Sequence, residues 1–255
     1  MSLNSAAFEY HLEGLGEPLE YGAEGASEVI WTPLISAAKN GDVEKVQELL
    51  DNGDNVEFVN KRGWNALRTA AFYGHVEVVR LLIKYGANVE SANEDGWTAL
   101  KDAACNGQLE VVRLLLEEYR ANVESTNEGG WTALMTAARK GHLEVVRVLL
   151  KHGANVENAN KEGWTALMNA AYNGHVEVVR ELLKHGANVE SGNNYGCTTL
   201  NIAAYHGHVD VVRELLNRDA NVNRANNFGS TPLRTAIIRG NMDVAEELQK
   251  YGASV

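Results

Sequence analysis

Eight histidines, two cysteines and 34 carboxylates are the side chains from which this 255-residue chain would build catalysis or a metal site. Their spacing argues against both. His75, His142, His175 and His208 each follow a glycine (Gly74, Gly141, Gly174 and Gly207), at intervals set by one period. A residue that returns with its neighbours does one structural job at each place, whereas a nucleophile, base or ligand set needs different groups converging at one point. His152 and His185 precede Gly153 and Gly186 and read as surface residues. Cys105 and Cys197 lie far apart and form neither a metal pair nor a disulfide framework, which fits a reducing compartment. No Ser–His–Asp or Cys–His set, phosphate loop or carboxylate pair rises above the period. The chain is therefore expected to be no enzyme and to use no cofactor and no metal.

Charge narrows the partners. The net charge of −11 and a sequence pI near 5.2 oppose a phosphate backbone, so nucleic acid is not expected. No apolar run reaches the roughly 18 residues that span a bilayer, so no membrane partner is expected. Met1 to Tyr10 has neither the basic flank nor the apolar block of a secretory signal. The expected location is cytoplasmic or nuclear, and the expected state is a monomer. The hydrophobic share of 45% and charged share of 22% are those of an ordinary folded domain.

The period itself is the main signal. Gly63-Trp64-Asn65-Ala66-Leu67 returns as Gly96-Trp97-Thr98-Ala99-Leu100, Gly130-Trp131-Thr132-Ala133-Leu134 and Gly163-Trp164-Thr165-Ala166-Leu167. It returns again as Gly196-Cys197-Thr198-Thr199-Leu200 and Gly229-Ser230-Thr231-Pro232-Leu233, at spacings of 33, 34, 33, 33 and 33. A first copy starts at Trp31-Thr32-Pro33-Leu34, giving seven units. In each, Thr (once Asn65) is placed to cap a helix, and Pro33 and Pro232 stand at a first helical position. An Ala-Ala pair such as Ala137-Ala138 allows helices to approach closely. Gly141-His142 makes a tight turn, and Leu143 to Leu150 has apolar residues at helical spacing. Gly153 supplies the left-handed residue that ends the second helix. Arg120 and Asp219 replace that glycine in the third and sixth units, the third unit also gaining one residue. These read either as tolerated lesions, at roughly 1–2 kcal/mol each, or as local bends. Such helices are too short to stand alone, so stability must come from stacking.

Helix, turn, helix and hairpin at this period resemble the ankyrin repeat. The resemblance implies an all-α solenoid of stacked helix-turn-helix units with β-hairpin tips. Residues 1–27 form an acidic N-terminal tail and 28–255 the repeat domain, with units of about 28–59, 60–92, 93–126, 127–159, 160–192, 193–225 and 226–255. Ala usually stands for the Pro of the family's Thr-Pro-Leu-His motif, and Ile35, Arg68, Lys101, Met135, Met168, Asn201 and Arg234 stand in place of its His. Polar Asp42, Lys45, Gln47 and Glu48 in the first unit, and Glu246, Glu247 and Gln249 in the last, read as caps on a complete array.

The resemblance also implies a partner held in a concave groove made by first helices and hairpin tips. Residues four apart share a helix face, so the groove stripe is expected to hold Trp64, Arg68 and Phe72; Trp97, Lys101 and Cys105; Trp131, Met135 and Arg139; Trp164, Met168 and Tyr172; and Cys197, Asn201 and Tyr205. Tyr73, Asn106, Lys140, Asn173 and His206 are expected at its edge. The five tryptophans, Trp31 included, fall at one repeat position and read both as a stiffening ladder and as an aromatic binding floor. Trp97, Trp131, Trp164, Arg139 and Tyr172 are the expected anchors. Tyr195 and Phe228 are expected to be exposed on the tips, extending the contact or lying against neighbouring tips. Lys39, Arg68, Lys101, Arg139, Lys140, Arg234 and Arg239 face Asp102 alone along the stripe, so the expected partner is a protein or peptide segment with acidic and apolar residues. Second-helix pairs such as Glu177 and Arg180 read as a solvated ladder.

The function expected is protein–protein interaction, as adaptor, scaffold or recognition subunit, with a regulatory subunit or inhibitor of an enzyme as the alternative. Residues 1–27 hold five glutamates, no Lys or Arg, and Phe8, Tyr10, Leu12, Leu15 and Tyr21 among helix-breaking glycines. They read as a flexible or loosely docked tail that folds back into the basic groove and competes with the partner.

Overall fold

The computed structural model describes residues 31–254. The expectations for the tail at 1–27 lie outside the described residues. Fourteen helices are described, in seven pairs. They are α1 (Pro33–Asn40) and α2 (Val43–Asp51), α3 (Ala66–Tyr73) and α4 (Val76–Lys84), α5 (Ala99–Cys105) and α6 (Leu109–Glu117), and α7 (Ala133–Lys140) and α8 (Leu143–Lys151). There follow α9 (Ala166–Tyr172) and α10 (Val176–Lys184), α11 (Thr199–His206) and α12 (Val209–Leu216), and α13 (Pro232–Arg239) and α14 (Met242–Lys250).

Local chemistry starts and stops each helix as the sequence implies. Thr32, Asn65, Thr98, Thr132, Thr165, Thr198 and Thr231 each accept the backbone N–H three residues on, which satisfies one of the orphan donors at a first-helix N-terminus. Gly141 ends α7 at φ 78°, and a Cβ there would come within 2.7 Å of the His175 ring, so two constraints fix that glycine. Arg120 and Asp219 are the described non-glycine residues held left-handed, at φ 54° and 60°.

First helices stack on first helices and second helices on second helices. The Ala-Ala pairs, from Ala70-Ala71 to Ala203-Ala204, are fully enclosed where the first helices meet. Leu67, Leu100, Leu134, Leu167 and Leu200, with Val79, Val112, Val146, Val179 and Val212 from second helices, fill one continuous core along the array. Burying side chains of this size contributes on the order of 1.5–3 kcal/mol each, which is what offsets the weakness of two-turn helices.

Polar stitches join successive units. His75 Nε2 donates to the Lys39 carbonyl (2.9 Å), His142 to Cys105 (3.0 Å), His175 to Arg139 (3.0 Å) and His208 to Tyr172 (2.9 Å). Gln108 serves the third unit, donating to the Phe72 carbonyl at 3.0 Å. A second set explains the recurrent Asn-Val-Glu. The glutamates Glu57, Glu90, Glu124, Glu157 and Glu190 accept the backbone N–H of Asn88, Asn122, Asn155, Asn188 and Asn221 in the next unit. The periodic histidines are thus structural ties. His175→Ala is expected to lower unfolding free energy by about 1–2 kcal/mol, because the Arg139 carbonyl loses its donor. His175→Gln should keep most of it, as Gln108 does in its own unit. An unchanged urea midpoint for the alanine variant would contradict this role.

The outer ladder is less solvated than its sequence suggests. Arg147, Arg180 and Arg213 bridge to Glu181 (3.0 Å), Glu214 (2.9 Å) and Glu247 (3.2 Å) of the next unit, and those carboxylates are largely enclosed. Arg147 holds the Glu181 carboxyl below its usual range, and Arg213 does the same for Glu247. Glu247 is therefore an inward tie, not a polar cap residue. The last unit also exposes Ile237, Ile238, Met242 and Tyr251, so its outer face is partly apolar.

Candidate functional site

The hairpin between units is set by a buried asparagine. Asn160 Oδ1 accepts from Glu162 N (3.0 Å) and Trp164 N (2.8 Å), and Asn60, Asn193 and Asn226 do the same in their units. Asn93 and Asn127 accept from Trp97 N and Trp131 N. Isolated antiparallel bridges close the hairpins at Ala92–Thr98, Ala159–Thr165 and Gly192–Thr198. This turn chemistry fixes the tryptophan backbone at the junction of hairpin and first helix.

The depth of the tryptophans corrects the expected site. Trp97, Trp131 and Trp164 are only 6%, 7% and 1% exposed, and Trp64 is buried as well. They are not open anchors; their rings are covered by residues of their own array. Arg68, Lys101, Met135, Met168 and Tyr205, expected along the open stripe, are buried too. Each has a physical reason. Arg68 pairs with Asp102 of the next unit, Nε to Oδ2 at 2.7 Å, and its Nη1 donates to the Gly63 carbonyl at 2.6 Å. Lys101 Nζ donates to the Gly96 carbonyl at 2.7 Å, and burial lowers its pKa to about 8. Met135 fills the main core, while Met168 and Tyr205 belong to a second apolar cluster with Trp164, Cys197 and Ile202.

What remains accessible is an outer layer set on the tryptophans. Phe72 meets Trp64 edge-on at 5.5 Å, and Tyr73 packs on Phe72 at 5.0 Å. The Arg139 guanidinium lies over Trp131 at 5.5 Å and Tyr172 at 6.0 Å. Tyr172 meets Trp164 at 5.9 Å and His206 at 4.1 Å. Arg239 lies over Tyr205 at 4.2 Å, and Lys39 over Trp31 at 5.2 Å. Phe72, Tyr73, Arg139, Tyr172 and His206 are half-buried, while Lys140 and Asn173 are exposed. Tyr195 and Phe228 are half-buried rather than exposed. Their rings stack on one another at 6.5 Å along the rim of the second cluster.

The structure therefore gathers Arg139, Tyr172, His206, Tyr195, Phe228 and Arg239 into an aromatic and cationic surface over units four to seven. Three cation–aromatic stacks there hold charge against π faces, a pairing worth about 0.5–2 kcal/mol. Covalent chemistry finds no support in the thiols. Burial raises the pKa of both Cys105 and Cys197 to about 11, so both are protonated near neutrality. Among the described residues no group of three or more His, Cys, Asp or Glu is placed to hold a metal ion, and no helix is long and apolar enough to cross a membrane.

Sequence reasoning missed Phe58 and Val59, large apolar residues that are 43% and 44% exposed. A signal existed: the matching places in later units hold Ser91-Ala92, Ser125-Thr126, Asn158-Ala159, Ser191-Gly192 and Arg224-Ala225.

Comparison with known proteins follows the same lines. A family profile described as ankyrin repeats (3 copies) matches residues 34–127 and 119–193, and one described as ankyrin repeats (many copies) matches 182–236. Among solved structures, the chain is similar to the human ASB11 ankyrin repeat domain, at 29% identity and a TM-score of 0.80, over 88% of this chain and 100% of that one. No curated protein sequence matches it.

Proposed function

This chain belongs to the ankyrin-repeat family, whose members are typically non-enzymatic modules for protein–protein interaction, and from that premise we propose that it holds a protein partner on the first-helix face of units four to seven. The observation that carries the reading is the accessible layer of Tyr172, His206, Tyr195 and Phe228, bordered by Arg139, Lys140 and Arg239. Tyrosine, arginine and aromatic rings with two faces of different polarity carry most of the energy in interfaces. Here they rest on buried tryptophans, so little side-chain freedom is lost on binding, which favours affinity. The surface suits a segment that offers apolar side chains to the rings and carboxylates to the cations. An adaptor, scaffold or recognition subunit works in this way, by rigid presentation. The tryptophans contribute as the support beneath the contact layer.

The test is a paired capture with the wild type and an Arg139→Ala plus Tyr172→Ala variant, followed by titration of the purified partner. The variant is expected to bind about thirtyfold more weakly, some 2 kcal/mol. Its melting temperature should fall by only a few degrees, from the lost Arg139 and Tyr172 stacks, and titration well below the melt separates binding from folding. Wild-type affinity in the variant would remove the site from this face.

A further inference from the structure

The chain holds four Asn-Gly pairs, Asn40-Gly41, Asn52-Gly53, Asn106-Gly107 and Asn173-Gly174, and each closes a helix. Glycine has no Cβ, so its backbone nitrogen can approach the side-chain carbon of a preceding asparagine with little hindrance. Folding protects three of the pairs. Asn106 Nδ2 donates to the Asp102 carbonyl at 2.8 Å, and Asn173 Nδ2 to the Asn169 carbonyl at 3.1 Å. A histidine of the next unit lies on each first-helix glycine. A Cβ on Gly41, Gly107 or Gly174 would come within 2.5, 2.7 and 2.7 Å of the rings of His75, His142 and His208. Those rings also donate to the carbonyl just before each asparagine, at Lys39, Cys105 and Tyr172. The turn that would have to open is therefore clamped by the neighbouring unit.

Asn52 differs in every respect. It caps α2, a second helix, where no histidine stitch reaches. Asn52 and Gly53 are both exposed, and a Cβ on Gly53 would meet nothing within 4 Å. The Asn52 side chain has no hydrogen-bond partner among the described residues. Gly53 N is held by a single bond, to the Leu50 carbonyl at 3.0 Å. With ψ of −1° at Asn52, the cap holds Gly53 N away from the Asn52 side-chain carbon. Reaction needs the cap to open, and a helix end with so few contacts opens at the least cost.

We propose that Asn52-Gly53 is a site of spontaneous deamidation, and that its conversion loosens the first unit. The Gly53 nitrogen gives its proton to base and bonds to Asn52 Cγ. The Cγ–Nδ2 bond breaks, the nitrogen takes up a proton, and ammonia leaves a five-membered succinimide. Water then adds to either ring carbonyl and the C–N bond there breaks, which yields aspartate or isoaspartate. One water is consumed and one ammonia released, with no change of oxidation state. The product puts a carboxylate between Asp51 and Asp54, at a helix C-terminus, where negative charge is unfavourable. In isoaspartate the main chain also gains a CH2. That displaces the bonds from Gly53 N to Leu50 and from Asp54 N to Leu49, which end α2. It also shifts Asp51, the acceptor for the Tyr85 hydroxyl of unit two.

The test is to hold the full chain in warm, mildly alkaline buffer, folded and in strong urea, and to map each Asn-Gly pair by peptide mass and enzymatic isoaspartate methylation. In the folded chain Asn52 is expected to convert about tenfold faster than Asn106 and Asn173, with Asn40 between them. In urea the four rates should converge, because the difference comes from the fold. In aged protein the Gly53 and Asp54 amides should exchange their protons about threefold or more faster than in fresh protein. An Asn52→Gln chain aged alongside should keep the fresh rates, since its longer side chain closes a ring far more slowly. The proposal is overturned if Asn106 or Asn173 converts as fast as Asn52 in the folded chain, or if the folded order persists in urea. It is also overturned if the aged wild type exchanges like fresh protein, or if the Asn52→Gln chain loosens equally.

Discussion

Replacing Asp102 by alanine is expected to remove about 3–5 kcal/mol of unfolding free energy, the largest effect of a single substitution anticipated for this chain. Asp102 on α5 receives Arg68 of the preceding unit through two contacts, Nε to Oδ2 at 2.7 Å and Nη2 to Oδ1 at 3.3 Å. Both side chains are almost wholly enclosed. Burial pushes the Asp102 carboxyl up, against the pull of Arg68 and of the neighbouring Lys101. Removing the carboxylate leaves a guanidinium buried with one carbonyl partner and a second cation, Lys101, nearby. The same two places across the junction of units five and six hold Met168 and Ile202, both fully buried. Arg68→Met together with Asp102→Ile should therefore recover the loss, and replacing such a pair by apolar residues is often neutral or stabilising. Urea unfolding of the single and double variants measures both. A loss under about 1 kcal/mol for Asp102→Ala would mean that the pair does not hold units two and three together.

Acid is expected to weaken the C-terminal units through His206. Its imidazole has a pKa of about 4, lowered first by burial and then by His208 and Arg239, and its Nε2 is enclosed with no hydrogen-bond partner. The unfolded chain binds a proton near pH 6.5 and the folded chain near 4. Between those values the unfolded state holds more protons, so stability falls as pH falls. The loss from this residue alone is about 2 kcal/mol by pH 5 and about 3 kcal/mol by pH 4. Burial also lowers His142 and His175, which adds to the loss in the same direction. His206→Phe should flatten the slope between pH 6.5 and 4 relative to the wild type, as thermal melts across that interval would show. A parallel slope in the variant would refute the assignment.

Most of the architecture could be read from the chain because one period imposes the same cap, turn and helix seven times. Thr capping, the glycine turns, the structural histidines and the left-handed places of Arg120 and Asp219 all follow from local chemistry. Depth did not follow. A tryptophan that recurs at one position has one environment throughout, but recurrence alone does not say whether that environment is surface or interior. The Asn160-type turn and the layer of Tyr172 and Arg139 above decide it. Arg68 and Asp102 are hidden for a related reason. Along one stripe they read as opposed open charges, whereas their contact crosses a unit boundary between residues 34 apart.

The histidine and glutamate ties each reach only to the adjoining unit. Among the described residues, tension applied to the two ends of the array is therefore carried from unit to unit through a series of like links. Such a molecule yields one link at a time and recloses one link at a time, so it behaves as a spring whose compliance is shared along its length, and a bound segment lying across several links would stiffen it.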